Sequence, residues 1–476
     1  MQYVSTRGQA PTLPFDDVLL AGLASDGGLY VPAFWPLFSK DDLRSMRGKP
    51  YAEVAFRVMQ PFVGETVPPE VLRTIIQEVY AGFDHTCAAP LKQLRSGLWL
   101  MELFHGPTFA FKDYAMQVLA RLFDHILEQR GERVTILGAT SGDTGAAAVE
   151  AFRDKDRIDC FILFPKGRVS PMQQRQMTTV DAPNIHAIAL EGNFDDCQDL
   201  LKAAFADEQF RMGVNLSAVN SINWARIMPQ IAYYFWAGIQ LGAPDVPVGF
   251  SVPTGNFGNV YAAYAARQMG LPIDRLVVGT NQNDILDRFF RSGTMEILGV
   301  EPTLSPSMDI QVSSNFERLL FDMVDRDPAA LANLMTGFRR DGKFAVDADQ
   351  LATVSHLFQS HKVDDDAITA TIRDEMAQSG ELLDPHTAVG VAAALRVLAV
   401  SAKDTCPNTN ALVALACAHP AKFEKAVQRA LGHSPELPPR LAEMMELPEK
   451  HNGLPNDLAK LENFIQDRVR GQGAAA

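Results

Sequence analysis

Residues 133–148 read RVTILGATSGDTGAAA, an apolar run followed by a glycine-rich turn and a series of small residues. The apolar run is typical of a buried strand, and the small residues after the turn favour a helix. The glycines keep side chains off the backbone, while Thr140, Ser141 and Thr144 add hydroxyl groups. This order predicts an anion cradle of backbone amides at the start of a helix. A purely structural turn explains the residues about as well.

Other apolar runs alternate with helical patterns in the same way. Predicted strands lie at residues 159–164, 186–190, 248–252, 275–280 and 411–417, and predicted helices at 113–130, 225–241, 283–291 and 386–400. Nearly continuous apolar strands between helices imply a parallel sheet that is covered on both faces. We therefore predict an α/β fold, with residues 320–380 mostly helical and charged.

The chain divides into segments that differ in composition and in their pattern of predicted elements. Residues 1–90 are rich in turn signals, such as SDGGLYVP at 25–32, and predict a small N-terminal domain. Residues 91–465 carry the alternating strands and helices and form the predicted core. Residues 466–476, which end in RGQGAAA, are expected to form a disordered tail.

Composition argues against several classes of protein. The net charge of −14 is unlike that of a nucleic-acid binder, whose surface carries a basic patch. The five cysteines form no Cys-x-x-Cys pair and the ten histidines show no zinc pattern, so neither disulfides nor a metal site are predicted. The first residues lack an apolar signal core, and no apolar run has the length of a membrane span. We expect a cytoplasmic enzyme that binds neither nucleic acid nor membrane.

Lys112 lies in the stretch FHGPTFAFKD at residues 104–113, among phenylalanines and small residues. A lysine is usually exposed, with its stem on apolar surface and its ammonium in water. The alternative is a desolvated amine that forms a Schiff base. The stretch alone leaves both interpretations open.

Two further stretches suit anions. Residues 252–266, VPTGNFGNVYAAYAA, place a glycine-rich turn between a predicted strand and a predicted helix, as a phosphate site requires. In NSINWARI at 220–227, the side chains of Asn220, Ser221 and Arg226 could converge on another anion. From spacing alone, a surface or interface ion pair is the better explanation for Arg226.

With these stretches together, the chain resembles the threonine synthase family, which belongs to the fold type II pyridoxal-phosphate enzymes. The resemblance covers nearly the whole chain, and FHGPTFAFKD is similar to the family's cofactor-lysine segment. The other matching motifs are YVSTRG (3–8), SDGGLYVP (25–32), EGNFDDCQ (191–198), NQNDIL (281–286), SPSMDIQVSSNFERL (305–319) and AHPAKF (418–423). The resemblance implies a tryptophan-synthase-like fold with two parallel-sheet α/β lobes, one at about residues 115–225.

The resemblance also implies an activity and a role for each site residue. The family converts O-phospho-L-homoserine and water to L-threonine and phosphate with pyridoxal 5'-phosphate, and Lys112 would hold that cofactor as a Schiff base. Asp143 would lie near the cofactor's phenolic oxygen, where many relatives have asparagine. The cofactor phosphate would be bound by Gly255, Asn256, Phe257, Gly258 and Asn259, the substrate carboxylate by Thr140, Ser141 and Thr144, and the substrate phosphate by Asn220, Ser221 and Arg226.

Cys417 departs from the family's pattern. It stands immediately before AHPAKF, where the family usually has threonine or serine facing the pyridine nitrogen of the cofactor. A thiol is a weak hydrogen-bond donor and acceptor, so we expect the cofactor to work with an unprotonated ring nitrogen. From composition alone, Cys417 is better explained as a small buried apolar residue.

Two other functions remain open at this point. A dehydratase or β-replacement enzyme of the same fold is expected to lack the third anion site, so Arg226 is the residue that discriminates. A non-catalytic paralogue that binds phosphorylated ligands is expected to lack the lysine, whereas Lys112 is present. We predict a threonine synthase that acts on a small molecule as a monomer or homodimer.

Overall fold

The structure, a computed structural model, describes residues 1–140, 142–401 and 410–470. Ser141, a predicted ligand of the substrate carboxylate, lies outside the described residues, as do residues 471–476 of the predicted tail. The tail was predicted to begin too early, because Arg470 is fixed by hydrogen bonds. Its guanidinium donates to the carboxylate of Asp159 and to the backbone carbonyls of Lys155 and Ile158.

Strands and helices alternate along the chain, and the predicted elements are present with ends shifted by about two residues or fewer. The strands are β1 Gln2–Ser5, β2 Leu13–Pro14, β3 Tyr30–Pro32, β4 Leu91–Arg95, β5 Leu98–Glu102, β6 Val134–Ala139, β7 Ile158–Pro165, β8 Ile185–Leu190, β9 Leu216–Ser217, β10 Val248–Pro253, β11 Ile273–Thr280, β12 Thr294–Glu296, β13 Lys343–Ala345, β14 Phe358–Lys362, β15 Leu412–Ala416 and β16 Asn452–Leu454. The helices are α1 Phe15–Ala21, α2 Lys40–Ser45, α3 Tyr51–Val63, α4 Pro69–Ala81, α5 Lys112–Arg130, α6 Asp143–Phe152, α7 Pro171–Thr178, α8 Phe194–Ala206, α9 Glu208–Gly213, α10 Trp224–Gln240, α11 Gly258–Gln268, α12 Ile285–Ser292, α13 Phe316–Met323, α14 Pro328–Asp341, α15 Ala348–Ser355, α16 Asp365–Ser379, α17 Pro385–Ser401, α18 Glu424–Leu431, α19 Pro439–Glu446 and α20 Leu458–Gln466.

The chain forms two compact units. The first contains residues 1–18, 23–111 and 221–435, and the second contains residues 19–22, 112–220 and those from 436 onward. Most of the first 90 residues therefore group with residues 221–435. A separate N-terminal domain of residues 1–90 remains a prediction.

The second unit is built on a parallel sheet with strand order β16-β8-β7-β6-β9. Successive residues of a strand point to opposite faces of a sheet. In β7, Phe161 and Leu163 pack into an apolar cluster with residues of α8 and α20. Ile162, between them, faces Gly145 of α6, where an added Cβ would lie 3.0 Å from the Ile162 side chain. Helices thus cover both faces, which explains why the strands read as continuous apolar runs.

The first unit contains a six-stranded sheet with the order β14-β11-β10-β15-β5-β4, parallel except for the β4–β5 pair. Helix α17 packs closely on β10, since the Ser251 hydroxyl donates to the Gly390 carbonyl at 2.6 Å. On α10, the Tyr234 ring meets Phe250 of β10 edge-on at 4.8 Å between ring centres. A small antiparallel sheet, β2-β1-β3, forms from the first residues of the chain. The α/β prediction with parallel sheets is confirmed.

Three strands of the large sheet, β4, β5 and β14, are absent from the predictions. Strand β5, LWLME, lies in the interior of the sheet beside β15. Strand β14, FQSHK, stands at the edge inside the region predicted to be mostly helical, and only its first residue is fully buried. An edge strand with polar residues lacks the apolar run that identifies a buried strand, and pairing with β11 provides the order that its sequence does not signal.

Candidate active site

The turn after β6 is shaped by the Thr140 hydroxyl. Thr140 is buried, and its Oγ1 accepts hydrogen bonds from the amides of Gly142 at 3.0 Å and Gly145 at 2.9 Å. Gly142 has a φ of 153°, and a side chain there would collide with Gln173. Among the described residues, the half-buried Thr144 hydroxyl has no hydrogen-bond partner. Thr140 therefore holds the turn in place, whereas ligand binding by Thr144 stays a prediction.

Lys112 begins α5, and its amine lies beside a carboxylate. Nζ is 3.4 Å from Asp143 Oδ2, and the two side chains are 11% and 4% exposed. Asp143 stands in the first turn of α6, where a carboxylate stabilises the helix. Its Oδ1 accepts a hydrogen bond from Gln173 Nε2 at 2.9 Å. The interpretation of Lys112 as an ordinary exposed lysine is therefore wrong, because the amine is buried against an oriented anion.

The segment before Lys112 is fastened to the segment that carries Cys417. The Phe111 amide donates to the Cys417 carbonyl at 2.8 Å. Lys422, which is also buried, donates from Nζ to the Thr108 carbonyl at 2.7 Å. The second lysine of these motifs thus stabilises the backbone that leads to Lys112.

Cys417 follows the end of β15, where ligands bind in parallel sheets. It is buried, its amide donates to Thr387 Oγ1 at 3.0 Å, and its Sγ lies 3.8 Å from the Leu415 carbonyl oxygen. The Thr387 hydroxyl in turn donates to the buried carboxylate of Asp384. Hydrogen bonds on both sides fix the Cys417 backbone. The partner of its thiol in a loaded enzyme remains a prediction.

The turn after β10 has a strained backbone. Phe257 has a φ of 62°, a left-handed conformation that costs energy in a residue with a side chain. Its ring is held by Phe316, which it meets edge-on with ring centres 5.0 Å apart, and by Phe358 at 6.0 Å. Helix α11 begins at the next residue, Gly258. Because the first amides of a helix have no partner within it, the turn directs free N–H groups to one point.

A second segment supports this turn from outside. Ser313 Oγ donates to the Gly255 carbonyl at 2.6 Å. Asn315 donates to the Asn256 carbonyl from its amide at 3.1 Å and from Nδ2 at 3.0 Å. Gly255 has no room for a side chain, since an added Cβ would lie 3.0 Å from the Ser307 carbonyl oxygen. The backbone of the turn Gly255–Asn259 is therefore fixed in position by Ser307, Ser313 and Asn315.

Asn259 presents a buried donor without a partner. Its Oδ1 accepts hydrogen bonds from the hydroxyls of Tyr233 and Tyr234, whereas no described residue accepts from its Nδ2. A buried donor left unbonded costs about 1–3 kcal/mol, so an acceptor is expected at this position. An anion at the start of α11 would satisfy both the amide and the helix.

Arg226 lies in the first turn of α10, behind the cap that Asn223 provides. It is 3% exposed, and burial lowers the pKa of its guanidinium from 12.5 to about 10. A helix start carries positive partial charge, so a cation is unfavourable there unless an anion is bound nearby. Ser221 is half-buried in the same unit, and Asn220 is exposed at the end of the other unit. Arg226 is therefore buried rather than at the surface, and its assignment to an interface ion pair or to a phosphate site stays a prediction.

Comparison with known proteins identifies the family. The family model "Threonine synthase N terminus" matches residues 2–80, "Pyridoxal-phosphate dependent enzyme" matches 85–336, and "Threonine synthase, C-terminal" matches 387–465. The chain is 54% identical to a threonine synthase of Pseudomonas aeruginosa, over 98% of both chains. The chain belongs to the threonine synthase family. This confirms the resemblance inferred from the motifs.

Solved structures agree with this assignment. A PLP-bound threonine synthase from Brucella melitensis superposes with a TM-score of 0.95 at 51% identity, covering 99% of this chain and all of that one. A yeast threonine synthase gives 0.93 at 38% identity and covers 98% of both chains. The predicted fold class, a fold type II enzyme that depends on pyridoxal phosphate, is thereby confirmed for this member of the threonine synthase family.

The residues of this threonine synthase family member fit the cofactor. A phosphate ester needs convergent donors, which the start of α11 and the orphaned Asn259 Nδ2 provide. A carbonyl group needs an amine shielded from water, which Lys112 supplies beside Asp143. The specific role of each site residue remains a prediction.

Sequence reasoning missed several residues that support these groups. They include Gln173, Ser313, Asn315, Tyr233 and Tyr234. Ser313 lies within the motif SPSMDIQVSSNFERL, which signalled the family but no role, and the tyrosines read as an apolar helix face. Their polar atoms form hydrogen bonds with residues that are distant in the sequence, so no local sequence pattern identifies them.

The described part of the chain contains no helix that is both long and apolar enough to cross a membrane. Residues 1–140, 142–401 and 410–470 also contain no cluster of three or more His, Cys, Asp or Glu that could hold a metal ion.

His419, two residues beyond Cys417, should make stability depend on pH. Burial lowers its pKa from 6.5 to about 4, although the Asp384 carboxylate acts in the opposite direction. As the pH falls, His419 of the unfolded chain takes up a proton before His419 of the folded chain does. The folded state therefore keeps its full stability above a pH of about 6.5 and loses stability as the pH falls towards about 4. We expect the free energy of unfolding to fall by about 2 kcal/mol between about pH 7 and pH 5.

Urea unfolding of His419→Asn tests this expectation. Asparagine can keep the acceptor that His419 Nδ1 offers to the Ala421 amide at 3.2 Å, but it does not titrate. The variant should lose about 2 kcal/mol of the pH dependence. An unchanged dependence in the variant would assign the effect to other groups.

Proposed function

We propose that this chain converts O-phospho-L-homoserine and water to L-threonine and phosphate, with Lys112 as the catalytic residue. The observation that carries the proposal is the Lys112 amine, buried beside Asp143 in the segment similar to the family's cofactor-lysine segment. The phosphate leaves the γ-carbon and a hydroxyl is added at the β-carbon. Bound pyridoxal phosphate supplies an electron-withdrawing ring that stabilises negative charge on the substrate carbon.

In this proposal Lys112 has two tasks. Its Nζ would hold the cofactor covalently, and as a free amine it would take protons from the α- and β-carbons and deliver protons to the γ- and α-carbons. Both tasks need an uncharged amine that is shielded from water. The Asp143 carboxylate, oriented by Gln173, lies 3.4 Å from this amine and can accept a hydrogen bond from it.

The anionic groups are held by donors at three helix starts, those of α11, α10 and α6. The amides of Gly255–Asn259 and the Asn259 Nδ2 bind the cofactor phosphate. Asn220, Ser221 and Arg226 bind the substrate phosphate at the start of α10. Thr140, Ser141 and Thr144 bind the substrate carboxylate, with Thr140 acting chiefly through the turn that its hydroxyl holds in shape. These contacts orient the substrate so that each proton transfer is short.

A buried arginine in this position separates the proposal from its rival. A dehydratase or β-replacement enzyme acts on a substrate without a phosphate group and has no use for a guanidinium at a helix start. Arg226 is almost fully buried there, and such a cation is costly unless an anion balances it. The arrangement therefore favours a phosphorylated substrate.

We also propose that the enzyme works in the cytoplasm as a monomer or homodimer. Cys87, Cys160, Cys197 and Cys417 form no disulfide, as expected for a reducing compartment. Light scattering of the purified protein distinguishes the two oligomeric states.

Replacing Lys112 by alanine should remove the visible absorption of the lysine-linked cofactor and lower threonine formation by at least about a hundredfold, the usual lower limit for a positioned acid–base group. Lys112→Arg keeps a cation beside Asp143 but cannot form the linkage, so it should be as inactive as the alanine variant. Phosphate release and threonine formation measure the activity. Turnover close to wild type in either variant would refute the assignment of Lys112.

Replacing Arg226 by alanine should raise the KM for O-phosphohomoserine far more than it weakens cofactor binding. A charge-assisted hydrogen bond contributes about 1.5–3 kcal/mol, or roughly tenfold to a hundredfold in affinity. Arg226→Lys keeps the charge and should recover part of the loss. Weakened binding of pyridoxal phosphate with an unchanged KM would exchange the two phosphate assignments.

Replacing Cys417 by serine or threonine should keep turnover within about tenfold, or 1.4 kcal/mol in the barrier, because none of the three neutral side chains can hold a proton on the ring nitrogen as a carboxylate would. Cys417→Asp should impair turnover more, since it buries a charge or protonates the ring. Steady-state rates compare the three variants. A structure with the cofactor bound and the sulfur beyond hydrogen-bonding reach of the pyridine nitrogen would contradict the assignment.

A further inference from the structure

Arg318 is a fully buried cation in the first turn of α13, with an exposed fraction of 0%. Its Nε and Nη2 donate to the Tyr30 carbonyl at 3.1 and 3.0 Å, and Nη2 also donates to the Ile222 carbonyl at 2.6 Å. Its Nη1 donates to Asn315 Oδ1. Every acceptor is neutral, so within the described part of the chain no carboxylate forms an ion pair with this guanidinium.

The neighbouring acid, Glu317, balances the charge of Arg318 only in part, since burial lowers the pKa of Arg318 by more than this carboxylate raises it. Glu317 is engaged elsewhere, in a two-bond pair with Arg7 at 3.1 and 2.9 Å and in a hydrogen bond from Thr6 Oγ1 at 2.7 Å. Burial lowers the pKa of Arg318 to about 10, which leaves the group charged at neutral pH. A buried charge is costly unless an opposite charge is nearby.

The acceptors of Arg318 belong to the two loops proposed above as phosphate sites. Ile222 directly follows Ser221 in the loop that leads to Arg226. Asn315 is the residue that donates twice to the Asn256 carbonyl in the turn Gly255–Asn259. One guanidinium therefore fixes the position of both loops within the same unit.

We propose that Arg318 is a positioning residue that couples the cofactor-phosphate loop to the substrate-phosphate loop and supplies positive charge to both. The proposal rests on the function proposed above. It predicts that loss of the Arg318 guanidinium weakens binding of both the cofactor and the phosphorylated substrate. Loss of the Arg226 guanidinium should weaken binding of the substrate alone. Binding of a ligand without phosphate should change little.

Arg326 provides a matched control for a purely structural role. Its Nη1 donates to the carbonyls of Pro32 and Ala33 at 3.0 and 3.1 Å, and its Nε pairs with Asp322 at 2.7 Å. It thus joins the end of β3 to the region of α13, as Arg318 does, but its described contacts include neither loop. Arg326→Lys should lower stability without a selective effect on phosphate ligands.

The experiment compares Arg318→Lys with Arg326→Lys in three binding measurements. Pyridoxal phosphate is titrated into the apoprotein by absorbance, inorganic phosphate is measured as an inhibitor, and L-threonine binding to the holoenzyme is followed by its spectral change. We expect Arg318→Lys to lower the affinities for pyridoxal phosphate and for inorganic phosphate by about tenfold each. The affinity for L-threonine should fall by about twofold or less. Arg326→Lys should leave all three affinities within about twofold.

The outcomes separate the alternatives. Unchanged phosphate affinities in Arg318→Lys, or an equal loss for L-threonine, would overturn the coupling role, and so would the same pattern in Arg326→Lys. Wild-type protein that forms no threonine would instead overturn the proposed function, so the two failures are distinguishable.

A second variant covers the case in which Arg318→Lys does not fold. Asn315→Asp keeps the shape of the side chain, pairs its carboxylate with Arg318 and removes the Nδ2 donor to the Asn256 carbonyl. The charge of Arg318 is then neutralised within the fold, so both phosphate affinities should again fall by about tenfold. Affinities within about twofold of wild type would refute the proposal.

Discussion

The first amides of a helix have no partner within that helix, so a glycine-rich turn that opens a helix after a parallel strand leaves these donors for other groups. This constraint acts twice here, at the turn between β6 and α6 and at the turn between β10 and α11. In the first turn, Asp143 places a carboxylate at the helix start. In the second turn, no acidic residue stands in the first turn of α11, and the Asn259 Nδ2 adds a further buried donor. The second turn therefore needs an anion from a ligand, and this need governs the chemistry of the site.

Buried charge is treated differently at three positions. The Lys112 amine is paired with Asp143, which a covalent linkage to a cofactor can release. Arg226 is buried at a helix start, where its charge adds to that of the helix and favours an anion. Arg318 donates to neutral oxygens, which hold its orientation, and the Glu317 carboxylate balances its charge only in part. Each arrangement is costly by itself, and in the proposed function phosphate groups would offset the cost of the two arginines.

The local sequence predicted the strands that are buried on both faces, because a continuous run of apolar residues identifies such a strand. It missed β4 and β14, whose polar residues are ordered by pairing with β5 and β11, and β5, whose run LWLME ends in a charged residue. It also gave no information on the burial of Arg226, since spacing does not show how deeply a helix is buried.

The sequence by itself determined the family, the parallel α/β architecture and the two glycine-rich turns, because each is encoded in residues adjacent along the chain. The tertiary structure decided which groups those residues meet. Asp143 lies 31 positions from Lys112, Tyr234 lies 25 from Asn259, and Arg318 lies 96 from Ile222. Such contacts depend on how strands and helices pack, and packing depends on many residues at once, so no short motif encodes them.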